Sequence, residues 1–117
     1  MSYIDGYIAA VPNANKQAYL DMATTMAGLF KENGATRIME CWEEDVPDGK
    51  LTSFPMAVKR EPGESVIFSW IEWPSKAVRD AGWKLAMADP RMQMGTMPFD
   101  GKRIIFGGFE TIYSSSE

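Results

Sequence analysis

Apolar side chains fall on both sides of the backbone from Val66 to Trp73, the densest hydrophobic run in the chain. In an extended conformation Val66, Phe68, Trp70 and Glu72 share one face, and Ile67, Ser69, Ile71 and Trp73 share the other. Both faces are mostly apolar, which predicts a central strand covered on both sides. Pro74 cannot donate to a ladder and ends the strand. Ser75 is then placed to cap a helix by accepting a first-turn backbone N–H.

The same period-two pattern predicts a first strand from Tyr3 to Val11, with Tyr7, Ala9 and Val11 on one face and Ile4, Ile8 and Ala10 on the other. Gly6 suggests a bulge or a close backbone approach within it. After Pro12, Asn13 or Asn15 can cap a helix in which Tyr19, Met22, Ala23, Met26, Leu29 and Phe30 recur at helical spacing, with Gly34 as the stop. A second strand runs from Ala35 to Glu44, followed by a turn at Val46 to Lys50. Extended structure resumes from Phe54 to Lys59, and Pro62-Gly63 suits the middle of a type II turn that makes a hairpin into the Val66 strand. The second helix covers Lys76 to Ala88, with an apolar stripe of Ala77, Val78, Ala81, Leu85 and Ala88. Pro90 ends it, and a Met-rich connector leads to a last strand from Arg103 to Ile112. Gly107-Gly108 inside that strand suggests a bulge or a tight contact.

The order β-α-β-(β)-β-α-β predicts an α+β fold, a ferredoxin-like split βαβ sandwich in which two helices cover one face of an antiparallel sheet. The 117 residues form a single domain, 1–117. Two helices leave the second apolar face of the Val66 strand without cover, so a homodimer packed sheet face on sheet face is expected.

Composition narrows the function classes. A net charge of -4 argues against nucleic acid as a partner, which needs clustered Lys and Arg. No run approaches the ~18 apolar residues of a membrane span, and MSYIDGYIAAVP lacks the basic region of a signal peptide. Cys41 is the only cysteine and there is no histidine, which fits a cytoplasmic location and excludes His-dependent catalysis and His-held metal or haem. No metal and no cofactor is expected, since the acidic patch Glu43, Glu44, Asp45 and Asp48 has no EF-hand spacing.

Several residues carry candidate chemistry. Glu40 lies between Ile38 and Trp42 on an apolar face, and Glu72 follows Phe68 and Trp70. A carboxylate among aromatics can serve as a general acid or base; alternatively each is paired with Arg37, Lys59, Arg79 or Arg103, or sits at a strand end in water. Cys41 is either a reactive thiol activated by a neighbouring cation or a small buried hydrophobe. Trp42, Trp70, Trp73 and Trp83 can stack a flat ligand or pack the core, with Trp83 off the stripe of its helix and directed to an edge pocket. Met92, Met94 and Met97 either line a mobile lid or, with Pro98 and Phe99, plug the gap beside the second helix. Arg79 is expected to reach Glu72 or Asp100, with Arg103 joining the cluster.

Glu40-Cys41-Trp42, Thr52 to Lys59, Phe68 to Asp80 and Met97 to Glu110 together resemble the YbaA-like family of unknown function, over nearly the whole chain. The resemblance implies the dimeric α/β-barrel superfamily, whose members include cofactor-independent monooxygenases acting on quinol-like substrates and isomerase-like enzymes. Two function classes follow. One is a small-molecule-binding protein with no assignable reaction. The other is a cofactor-independent monooxygenase- or isomerase-like enzyme for a small aromatic or quinone-like substrate, using a cleft between sheet and helices near Glu40, Trp42, Trp70 and Arg79. A cavity of about 300 Å³ or more with convergent polar groups would favour the enzyme.

Overall fold

The structure is a computed structural model that describes residues 2–92 and 97–115. Its strands are β1 (Tyr3–Pro12), β2 (Arg37–Trp42), β3 (Glu64–Trp73) and β4 (Ile105–Glu110). Its helices are α1 (Lys16–Glu32), a single turn α2 (Phe54–Ala57) and α3 (Lys76–Ala88), with 3-10 turns at Asn13–Asn15 and Pro90–Met92. Among the described residues the strands form one antiparallel sheet in the order β2-β3-β1-β4, so the fold is α+β. No helix among the described residues is long and apolar enough to cross a membrane.

The helix-covered face of the sheet carries the alternation expected of it. Ile67, Ser69, Ile71 and Trp73 are all at most 1% exposed, and beside them β1 contributes Asp5, Tyr7, Ala9 and Val11. Tyr19, Ala23, Leu29 and Phe30 of α1 pack onto this face. The helix boundaries have local causes. Ser75 Oγ accepts the Val78 N–H at 3.2 Å and caps α3. Gly34 follows α1 at a φ of 114°, where a side chain is strained. Neither asparagine caps α1 through its side chain: Asn13 accepts from the Ser65 hydroxyl, and Asn15 Nδ2 donates to the Pro98 carbonyl at 2.9 Å.

Three sequence expectations need correction. Phe54 to Lys59 is not a strand. Ser53 Oγ caps a helical turn there by accepting from Met56 N at 3.1 Å, and Pro55 fits its first positions. The Pro62-Gly63 turn exists, with Gly63 at φ 84° and Glu64 N donating to the Glu61 carbonyl at 3.1 Å, but it joins α2 to β3 rather than closing a hairpin. The apolar stripe of α3 is also rotated. Gly82 and Ala86 are its buried residues, Val78 and Trp83 pack beside them, and Leu85 is 60% exposed. A Cβ at Gly82 would lie 2.5 Å from the Trp73 ring and 2.6 Å from the Asn33 carbonyl oxygen, so this glycine is what lets α3 settle onto β3. The ladders run through Gly6, Gly107 and Gly108 without a bulge. Gly108 marks a tight contact instead, with the Tyr3 hydroxyl where its Cβ would be.

The opposite face of the sheet presents Ile4, Ile8, Met39, Phe68, Trp70, Ile105 and Phe109 around a shallow hollow. Part of it is covered by the chain itself. Val58 is buried with Ala10 and Val66, and the Phe54 ring meets Phe68 edge-on at 5.7 Å. The remainder is open, with Phe68 46% and Phe109 61% exposed.

Candidate functional site

The helices do not fill the space above the sheet. A cavity of about 350 Å³ lies between α1 and the floor made by β1, β2 and β3. Small residues account for it: Ala23 and Ala27 on α1 and Gly6 and Gly107 on the sheet all line it. Phe30 and Trp83 wall one end, their rings 4.6 Å apart. Met97, Phe99, Ile104 and Phe106 border the other side, where Met97 and Phe106 are exposed and the cavity opens. Phe99 is held by an edge-on contact with Tyr19 at 5.9 Å.

Glu40 sits on the floor, because residue 40 of β2 pairs with Ser69 and so points to the helix side. Its carboxylate accepts three hydroxyl hydrogen bonds: from Tyr7 at 2.6 Å, from Tyr19 at 2.6 Å and from Ser69 at 2.5 Å. Among the described residues no cation pairs with it. Burial, and after it the charge of Glu40, holds both phenols well above the ordinary tyrosine range, so they remain protonated donors.

The second polar end centres on Asp5, which is 6% exposed. Arg79 grips it with Nε at 3.0 Å and Nη2 at 2.8 Å from Oδ1. The indoles of Trp73 and Trp83 donate to Oδ2 at 2.9 and 2.8 Å. Arg79 also donates to Asp80 at 3.0 Å and lies 5.2 Å over the Tyr3 ring. The Asp5 hydrogen bonds raise the Arg79 guanidinium further above its already high range. Charge and hydrogen bonding are thus balanced at this end.

Residues 2–101 match the family described as protein of unknown function (DUF1428). The chain belongs to this family. It is 61% identical over 114 residues to the uncharacterized protein YbaA of Escherichia coli, covering 96% of this chain and 97% of that protein. The protein of the same name from Shigella flexneri matches to the same extent, 61% over 114 residues. Both polar ends of the cavity lie inside the part that matches the family, whereas Ile104, Phe106 and Gly107 at the opening lie beyond it.

The remaining candidate residues are dispersed. Glu40 and Arg79 line the cavity at its two ends. Trp70 and Glu72 lie on the opposite face of the sheet, where Trp70 Nε1 donates to Glu72 at 2.9 Å. Arg79 therefore reaches Asp5, not Glu72 or Asp100. Cys41 is partly buried on that same opposite face. Trp42 packs beside the Tyr19 cluster on the helix side, with the Lys16 ammonium 5.1 Å over its ring. Arg103 is taken up by Glu64, at 2.8 Å to each oxygen, and by Asp100 at 3.1 Å, which ties the Asp100-Gly101 turn to β3. In the acidic patch Glu43 pairs with Arg60 and accepts from Val66 N at 2.7 Å. Of the connector, Met92 packs on the core, Met97 borders the cavity and Met94 lies outside the described residues. Trp83, expected at an edge, is a wall of the cavity on the buried side of α3.

Asp5, Tyr7, Tyr19 and Ser69 were not singled out by sequence as site residues. One signal was present: Asp5 is in phase with Tyr7, Ala9 and Val11, so an acid at that position points inward.

Proposed function

We propose that this protein binds a small molecule in the cavity between α1 and the sheet. One observation carries this reading: about 350 Å³ of largely apolar space is left open beside a hydroxyl-caged carboxylate, where a few larger side chains would have closed it. A thermal-shift screen of quinones, phenols, amines and small acids tests it, since a ligand that binds only the folded state raises the melting temperature. Ligands that stabilise the wild type and lose their effect in Ala23→Phe, which fills the cavity, support the reading. A screen in which no compound shifts the transition counts against it.

A second reading is supported by the same cavity, which exceeds about 300 Å³ and brings polar groups together, and by Glu40, a carboxylate with hydroxyl partners and, among the described residues, no cation. That is a suitable general base for a cofactor-independent monooxygenase- or isomerase-like reaction on a small aromatic or quinone-like substrate. Turnover of a quinol that disappears in Glu40→Gln would support it.

The strand order β2-β3-β1-β4 with α1 and α3 on one face supports a ferredoxin-like sandwich. The uncovered Phe68, Trp70, Ile105 and Phe109 support an isologous homodimer through the opposite sheet face, as in a dimeric α/β barrel. Sedimentation velocity at micromolar concentration tests the assembly, and a stable monomer would refute it. A cytoplasmic location accords with the single unpaired cysteine.

A further inference from the structure

Among the described residues, the hydroxyl hydrogens at the Glu40 end of the cavity are already committed. Tyr7, Tyr19 and Ser69 each give their hydroxyl hydrogen to the Glu40 carboxylate. Such a hydroxyl has one hydrogen to donate and lone pairs with which to accept, and a carboxylate has about four acceptor positions. What this end still offers a ligand is acceptors: phenol lone pairs and an unfilled position on Glu40. The raised phenols keep their hydrogens at neutral pH, so the arrangement does not invert.

The charge balance points the same way. Arg79 is the one cation lining the cavity among the described residues, and it is spent on Asp5 and Asp80. The indole hydrogens of Trp73 and Trp83 are spent on Asp5 as well. An anionic head group would find, among the described residues, no cation in the lining that is not already paired with carboxylates. A cationic one would find the Glu40 carboxylate, which no cation pairs with among the described residues, while the rings of Phe30 and Trp83 at the other end are available to an apolar body.

We infer that the cavity selects a cationic amine on a compact apolar body, its ammonium directed at Glu40 between the Tyr7 and Tyr19 hydroxyls. This rests on the small-molecule reading above and sharpens it to a ligand class. Carboxylic acids of the same shape are rejected.

Isothermal titration calorimetry of the wild-type protein with naphthylmethylamine, naphthylmethanol and naphthoic acid at neutral pH compares one body with three head groups. The amine binds about tenfold or more tightly than the alcohol, the scale of one charge-assisted hydrogen bond, and naphthoate binds weakest. In Glu40→Gln the amine and alcohol come within about twofold of each other while the alcohol still binds, and Tyr19→Phe, which frees a position on Glu40, retains the amine preference. The head-group order in the wild type decides the class even where Glu40→Gln does not fold. Naphthoate binding as tightly as the amine, or an amine preference unchanged in Glu40→Gln, overturns the ligand class and leaves small-molecule binding standing. No binding by any of the three up to about 1 mM overturns both.

Discussion

Asp5 and Glu40 line the same cavity from opposite ends, and their surroundings differ in kind. Asp5 is met by a guanidinium and two indole N–H groups, so its charge is neutralised and its lone pairs are filled. Glu40 is met by three neutral hydroxyls that hold its position, and among the described residues no cation pairs with it. The Asp5 end binds α3 to β1 and β3, a structural task that fills the acceptor positions of the carboxylate and neutralises its charge. The Glu40 end spends three buried hydroxyls on holding one carboxylate beside empty space, an arrangement that contributes little packing and suits a ligand.

The largest expected effect separates the two ends by stability. Asp5→Ala leaves two indole donors without an acceptor and Arg79 with Asp80 alone, and should cost about 2–4 kcal/mol. Glu40→Gln keeps an acceptor oxygen for the hydroxyls and should cost about 1 kcal/mol. Urea unfolding of both variants measures the gap, and equal losses would erase the distinction. Next is Gly82→Ala, which drives a methyl group into Trp73, the residue that carries a donor to Asp5, and should cost about 1–3 kcal/mol. Gly28→Ala on α1, where a Cβ meets nothing within 4 Å, should instead stabilise by about 0.5–1 kcal/mol. Thermal melts of the pair compare a crowded glycine with a free one.

The Glu40 end also has an alkaline signature. Tyr7 and Tyr19 titrate above the value of about 10 they have in the unfolded chain, so above that pH the unfolded state has lost protons that the folded state retains. Their contribution is complete below about pH 10 and is lost as pH rises towards the folded values. Ultraviolet titration of the native protein should show two of its four tyrosines silent until the protein unfolds, and Tyr7→Phe should flatten the alkaline fall in stability. The smallest stability change is expected on the opposite face of the sheet. Phe109→Glu should convert the proposed dimer to monomer in sedimentation, and the stability it loses should be confined to the concentration-dependent share that the dimer supplies.

Strong periodicity made the architecture legible. The β3 alternation, the Ser75 cap and the limits of α3 all stand in the structure as the sequence implies. What failed did so where apolar content and position part company. Gly82 carries no hydrophobic signal yet lies at the centre of the buried face of α3, so counting apolar residues rotated the helix and left Trp83 off its stripe. At α2 the extended look of Phe54 to Lys59 hid a helical turn whose Ser53 cap was not singled out by sequence. Glu40 was recognisable from its apolar neighbours in β2. Its partners were not, because Tyr7, Tyr19 and Ser69 come from three other elements. The Asp5–Arg79 pair spans 74 residues of sequence, and no local pattern selects Asp5 over Glu72 as the partner of Arg79.

The most direct test follows the methionine methyl groups by NMR, since methionines stand on both sides of the sheet. Met22, Met26 and Met97 line the cavity, and Met39 lies on the opposite face beside Trp70. With methyl-labelled protein, naphthylmethylamine should shift the Met22, Met26 and Met97 signals and leave Met39 in place. Shifts at Met39 with the three cavity methionines unmoved would contradict the account.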